Sequence, residues 1–415
     1  MFEKRTLPNG IRIVYEYIPY VRSVSFGIWV KNGSRSEKSE ENGASHFIEH
    51  MVFKGTNTRT AADIAAQSDR LGGQINAYTT KECTCFYGRV LDTHLGHLAD
   101  ILHDMLKNSN FDDKDVLNER GVIFDEIDMY EDTPEDLVIE QLLTGIYKGS
   151  SLSRPILGKK STLKKMSGQF LKDFMVSHYG GENIVIAISG SFKTSDIDNI
   201  ASLFSDFGSG SVEYRKASFH RTFDVKHKDI EQNHICIGYP GFSIYDDDRY
   251  SLSLLSNILG GGMSSRLFQK VRERQGLCYS VYSFLSSYID GGIFGIYTAA
   301  GNSNYLEAVR LILEEVEKIR QDGVSATELA LTKEQAKVNV LMSLESTGVR
   351  MNRLGRNELF LGRIPSTEEL IEKYEAVTTD DILSLAQKVF DPELVSFSFV
   401  GSGEQGDKFK EMILS

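Results

Sequence analysis

Apolar residues recur along this chain with two different periods, and the changes from one to the other mark out its elements. Ile11-Arg-Ile-Val-Tyr15 and Ser23-Val-Ser-Phe-Gly-Ile-Trp-Val30 carry the β-branched and aromatic alternation of strands. Helical spacing takes over between Thr93 and Tyr130, which predicts two long amphipathic helices after a strand pair, and it returns between Asn304 and Leu341. A second correspondence lies further on. The first copy predicts a helix from about Ser167, a strand within Glu182–Ser191 that ends in Gly-Ser, and a helix through Phe207. The second predicts a helix from about Thr378, a strand within Glu393–Ser402 that also ends in Gly-Ser, and a helix from Asp407. Such an internal repeat, with strands and helices mixed in this order, predicts an α+β protein of two similar domains, each a sheet with helices packed on it. The Gly/Ser-rich stretch Gly208–Val212 places the boundary, giving domains 1–210 and 211–415.

One short helix breaks the usual pattern. In His46-Phe47-Ile48-Glu49-His50, residues three and four apart share a face, so His46, Glu49 and His50 form a polar stripe. Phe47, Ile48, Met51 and Val52 make the other side apolar. Two imidazoles and a carboxylate in such surroundings cost several kcal/mol unless they find partners. A divalent metal suits the spacing: histidines at i and i+4 can hold zinc, with the glutamate between them beside a water on the metal. The order His-x-x-Glu-His is a known zinc-peptidase signature. The competing interpretation, an ordinary helix surface with a solvated Glu49, has to be judged on context.

That context is a helix predicted over Asp112–Tyr130, where Glu119 and Glu126 lie two turns apart and point the same way, with Val116, Ile123 and Ile127 near that side. One carboxylate could complete a His₂Glu site and the other could hydrogen-bond a ligand imidazole. Spacing alone leaves open which does which. The matching segment of the second half, Asp248–Leu259, contains no histidine and no glutamate, so one metal site per chain is expected.

Gly43-Ala-Ser-His-Phe-Ile-Glu-His-Met-Val-Phe-Lys-Gly-Thr56 resembles the zinc-binding segment of the pitrilysin (inverzincin) metallopeptidases, and most of all the short chains related to the catalytic subunit of mitochondrial processing peptidase. In that family the third ligand lies 76 residues beyond the second histidine, which is Glu126 here, and the supporting glutamate falls on Glu119. Gly72-Gly73-Gln74-Ile75-Asn76-Ala77 is similar to the family's Gly-Gly-x-x-Asn-Ala element, and Arg272 with Tyr279 to its Arg-x₆-Tyr pair. The resemblance covers essentially the whole chain. It implies the processing-peptidase-like fold of mostly antiparallel sheets, a catalytic zinc-binding first domain, and a homologous second domain without metal. It further implies one Zn²⁺ held by His46, His50 and Glu126, with Glu49 as general base and then acid, and Arg272 and Tyr279 stabilising the oxyanion. Asn76 and Ala77, on what reads as an exposed edge strand, are expected to receive an extended peptide by strand addition. The activity implied is that of a zinc endopeptidase acting on short or unfolded peptides in a closed chamber. Larger members of the family join two such halves in one chain, and there the Arg/Tyr pair sits in the half that lacks zinc. This chain, one half long, carries both sets, which implies a homodimer. The alternative is a non-catalytic scaffold or a subunit that needs a distinct second chain.

Composition narrows the rest. A chain of 415 residues suggests two domains or more, and 41% hydrophobic with 25% charged residues suits a soluble globular protein. The net charge of −12 disfavours nucleic acid as a partner. No run of about 18 apolar residues occurs, so no membrane span is expected. The N-terminus enters a turn and strand without an apolar signal region, which makes the cytoplasm the expected location. Cys83, Cys85, Cys236 and Cys278 fit no zinc spacing and are expected to be reduced and structural. Gly260-Gly-Gly262 precedes a helix expected over Met263–Arg274 with Gly276 as its cap.

Overall fold

The computed structural model describes residues 2–208, 210, 212, 214–403 and 411–412; the helix expected from Asp407 lies largely outside them. The chain forms two compact units. The first comprises residues 1–127, 154–215 and 343–365, and the second residues 128–153, 216–342 and 366–415.

The sheet of the first unit contains β1 (Phe2–Thr6), β2 (Arg12–Tyr17), β3 (Ser23–Val30), β4 (Gln74–Thr79), β5 (Thr84–Leu91) and β6 (Ile184–Gly190). Their order is β1-β2-β6-β3-β5-β4, antiparallel throughout except for β2 with β6. Because β6 and β3 are central and covered on both faces, every residue of β6 is buried and seven of the eight in β3 are too. On one face pack the helices Ala44–Met51, Leu95–Asn108, Gly168–His178 and Thr194–Leu203, around a core that includes Phe26, Ile28, Phe47, Ile48, Leu98, Leu102 and Ile186.

The sheet of the second unit contains β7 (Phe223–His227), β8 (Gln232–Gly241), β9 (Ser280–Ser287), β10 (Gly292–Gly301) and β11 (Ser396–Gly401), in the order β7-β11-β8-β10-β9. Only β7 and β11 run parallel. Strand for strand, this is the arrangement of β2-β6-β3-β5-β4, so the expected α+β architecture of two similar, mostly antiparallel sheets is present. The predicted helix pairs are the helices Leu95–Asn108 with Asp113–Glu131, and Tyr305–Asp322 with Ala326–Ser343.

Two details differ from the sequence expectation. The units are not the linear halves 1–210 and 211–415, because a helix from each half of the chain belongs with the other half's sheet. The Thr347–Leu361 helix lays Met351, Leu354 and Leu359 against Val14, Trp29, Cys85 and Val185 on the second face of the first sheet. Reciprocally, the Pro134–Ile146 helix sets Val138, Leu142 and Ile146 against Cys236, Ile293 and Val400 of the second. At the first of these contacts the backbone comes close: a Cβ on Gly355 would lie 2.3 Å from the Trp29 ring. The second difference is one of detail: the expected helix is present, and its Phe268–Arg274 segment winds as a π-helix. Gly276 does cap it, in the left-handed region at φ +62°, with its N–H on Arg272 C=O at 3.0 Å.

All four cysteines are free and buried. Among the described residues no helix is long and apolar enough to cross a membrane.

Candidate metal centre

The Ala44–Met51 helix starts at a place built for it. Gly43 holds φ +100°, and a Cβ there would meet the Gly158 backbone at 2.9 Å. Orphan N–H groups of the first turn go to a buried carboxylate: Gly43 N–H and Ser45 N–H both donate to Glu37 at 2.8 Å, and Asn42 Nδ2 donates to it at 3.0 Å. Burial pushes the Glu37 carboxyl up to about 7, against the opposing pull of these donors. With the helix so fixed, Phe47, Ile48 and Met51 enter the core, and His46 faces the polar side at 6% exposure.

The Asp113–Glu131 helix buries Val116, Glu119 and Ile123 along one stripe, and Glu126 continues it. His46, His50 and Glu126 are brought together, with one donor atom from each lying within 4.8 Å of the others. Nε2 of His46 and Nε2 of His50 each stand 3.6 Å from Glu126 Oε2. Glu119 sits behind them: its Oε2 is 3.2 Å from His50 Nδ1, and its Oε1 is 2.6 Å from Lys54 Nζ. Glu49 takes no part in the triangle. Its Oε2 accepts a hydrogen bond of 2.5 Å from the Thr79 hydroxyl.

The electrostatics suit ligands. Burial and the neighbouring His50 lower the His46 pKa to about 4, leaving a neutral imidazole with a lone pair to give. For His50, burial pulls downward, but its contacts with Glu126 and Glu119 outweigh it and the pKa is raised. Glu126 is held below the usual carboxylate range, chiefly by His50. Glu49 is raised by burial, which the Thr79 bond and His50 only partly offset.

β4 lies at the edge of the first sheet, hydrogen-bonded to β5. Asn76 on it is exposed, and its side chain accepts its neighbour's N–H, that of Ala77, at 2.8 Å. Arg272 and Tyr279 belong to the second unit. There the Arg272 guanidinium lies over the Phe268 and Tyr279 rings, at 4.6 and 5.0 Å from their centroids, and Tyr279 is 77% exposed. Glu37, Lys54 and Thr79 carry no motif signal in the sequence and emerge only from these contacts.

Known proteins place the chain. Residues 12–160 match the family described as insulinase (peptidase family M16), and residues 165–336 match the peptidase M16 inactive domain. The uncharacterized zinc protease YmxG of Bacillus subtilis is 42% identical over 94% of this chain and 96% of its own. The chain belongs to peptidase family M16. An uncharacterized zinc protease of Streptomyces coelicolor is 36% identical over 93% of this chain and 86% of its own. The M16 membership agrees with the pitrilysin-type resemblance of the sequence. Among solved structures, a protease from Helicobacter pylori has the same fold, with a TM-score of 0.90 at 18% identity over 97% of this chain and 99% of that one. So does a structure described as a peptidase M16 inactive domain from Pseudomonas fluorescens, with a TM-score of 0.90 at 18% identity over 96% and 98%.

Proposed function

We propose that this M16 chain is a zinc-dependent endopeptidase that cleaves short or unfolded peptides, with one zinc held by His46, His50 and Glu126. The observation that carries the reading is the spacing of those donor atoms. At 3.6 Å, each imidazole nitrogen is too far from Glu126 Oε2 for a good hydrogen bond. The separation instead approaches the edge of a tetrahedron with zinc–nitrogen spokes of ~2.0–2.1 Å, which is about 3.3 Å. Two histidines and one carboxylate are a donor set zinc takes in hydrolytic sites. Zinc, when bound, supplies a Lewis acid that polarises a carbonyl and brings the pKa of water from ~15.7 toward ~7.

The chain's own residues then divide the remaining work. Thr79 occupies Oε2 of Glu49, which leaves Oε1 to take a proton from the attacking water and hand it to the leaving amide nitrogen. A carboxyl whose pKa is raised by burial suits both halves of that task. Glu119 accepts from His50 Nδ1–H, so Nε2 keeps its lone pair for the metal. An extended peptide adding to the free side of β4, along Asn76 and Ala77, would be held by backbone hydrogen bonds, which favours unfolded substrates. Arg272 and Tyr279 stabilise charge on the carbonyl oxygen. We further infer a two-fold homodimer in which each zinc site is served by Arg272 and Tyr279 of the partner subunit, enclosing a chamber that excludes folded proteins.

Incubating zinc-loaded protein with a quenched peptide library tests the activity, and cleavage at internal bonds is expected. Zinc-loaded protein that cleaves nothing would favour a subunit that needs a distinct second chain. Mixing inactive Glu49→Gln with inactive Tyr279→Phe chains and allowing subunits to exchange tests the dimer. Recovered activity is expected; none, despite demonstrated exchange, would end it.

A further inference from the structure

We infer that Lys54 is a positioning residue for the metal centre, acting through Glu119. The inference rests on the zinc reading above and adds a residue to it. Lys54 follows His50 by four residues, so it continues the histidine face one turn further on. The backbone there is still wound: Lys54 N–H donates to Met51 C=O at 3.0 Å, and the chain is then pinned by the Gly55–Thr60 bridge. Both side chains reach the same carboxylate, and they divide it. Oε1 of Glu119 takes the Lys54 ammonium at 2.6 Å, and Oε2 takes His50 Nδ1 at 3.2 Å.

That division matters because Glu119 is only 7% exposed. Buried carboxylate oxygens need hydrogen-bonding partners, and the geometry of one oxygen sets that of the other. With Oε1 anchored, Oε2 stays in the plane where it can accept Nδ1–H, and His50 is held in the tautomer and ring orientation that present Nε2 to Glu126. An exposed ion pair would be worth little. This one is half-covered on the lysine side and buried on the glutamate side. The charges also fit a divalent guest: Glu49, Glu119 and Glu126 carry three negative charges when ionised, Lys54 one positive, and a divalent cation brings the group to neutrality.

The test is zinc affinity of the full chain, measured by competition with a chromogenic chelator, with thermal unfolding of the metal-free proteins as the control for folding. Lys54→Met is expected to weaken zinc about tenfold, the lower end of the range for groups outside the ligand sphere. Lys54→Arg, which keeps charge and reach, should stay close to wild type. In a Glu119→Gln background, Lys54→Met should cost nothing further, because the carboxylate through which it acts is gone. Lys54→Gln is measured alongside and should fall between wild type and Lys54→Met, so the inference stays exposed to refutation if the methionine variant unfolds. A lysine acting only by its charge would oppose a cation, and its removal would tighten zinc. Unchanged or tighter zinc in Lys54→Met, or an undiminished loss in the Glu119→Gln background, would overturn the inference. These outcomes separate it from the peptidase reading. Wild-type protein that holds zinc without cleaving peptides ends that reading and leaves the affinity test standing. Lys54→Met that holds zinc like wild type does the reverse.

Discussion

The two units share a strand order, yet only one gathers a metal-ligand set among the described residues. In the first, the eight-residue Ala44–Met51 helix has a carboxylate at its N-terminus and a polar stripe facing the Asp113–Glu131 helix. In the second, the counterpart Asp248–Gly260 is thirteen residues long, with Leu252, Leu254, Leu255, Ile258 and Leu259 buried in its core. Aligning the companion helices on their buried positions sets Val116 against Leu329, Glu119 against Thr332, and Glu126 against Asn339. Both glutamates of the first unit's site are thus matched by neutral residues in the second. One scaffold tolerates both because sheet and helix packing need only shape and apolar area. Buried charge is kept only where its partners come with it. The polar stripe is an added site on a fold that does not require it.

Removing a ligand should break the difference between the units most completely. His46→Ala or His50→Ala should abolish stoichiometric zinc, read as metal content after dialysis, because a site of two ligands is left. Glu126→Gln should come next, losing zinc more severely than Glu119→Gln, whose expected loss is about 10–100-fold in affinity. The opposite ranking would mean that the two glutamates have each other's roles.

These residues were legible because their signal is local. The His-x-x-Glu-His stripe needs one helix, the Glu119/Glu126 face needs another, and β3 was visible in its own alternation. What the sequence leaves unmarked depends on distant partners. Thr79 meets Glu49 from thirty positions away. Lys54 carries no signal until Glu119 is folded against it, although its place four residues after His50 was a hint. Glu37 lies six residues before Gly43, outside the usual capping distance. The exchanged helices leave no sequence signal for a related reason. Strands apolar on both faces announce that a second cover exists, without saying which helix supplies it.

Smaller effects sharpen the comparison. Thr79→Val should lower kcat about tenfold, the effect of losing one hydrogen bond to a charged group, with zinc content unchanged and Thr79→Ser close to wild type. A Thr79→Val enzyme with normal kcat would show that Glu49 needs no such support. Glu37 should make the helix that carries the histidines sensitive to pH. Its folded pKa of about 7 lies above the unfolded value of about 4.5, so the folded state holds the extra proton between them. The stability it contributes is fully present below about pH 4.5 and is lost as pH rises through 7, with a slope of up to about 1.4 kcal/mol per pH unit. Urea unfolding at pH 5, 6 and 7 should show that slope in wild type and lose it in Glu37→Gln. Equal slopes in the two would remove Glu37 from the account.

The central claim is that the polar stripe of the first unit makes this chain a zinc peptidase with Glu49 as its base. The most direct measurement is hydrolysis of a quenched peptide by wild-type and Glu49→Gln proteins brought to the same zinc content. One zinc per chain in both, with turnover in wild type and a loss of about 10²–10⁴-fold or more in Glu49→Gln, is the predicted result. Equal turnover in the two proteins at equal zinc would contradict it.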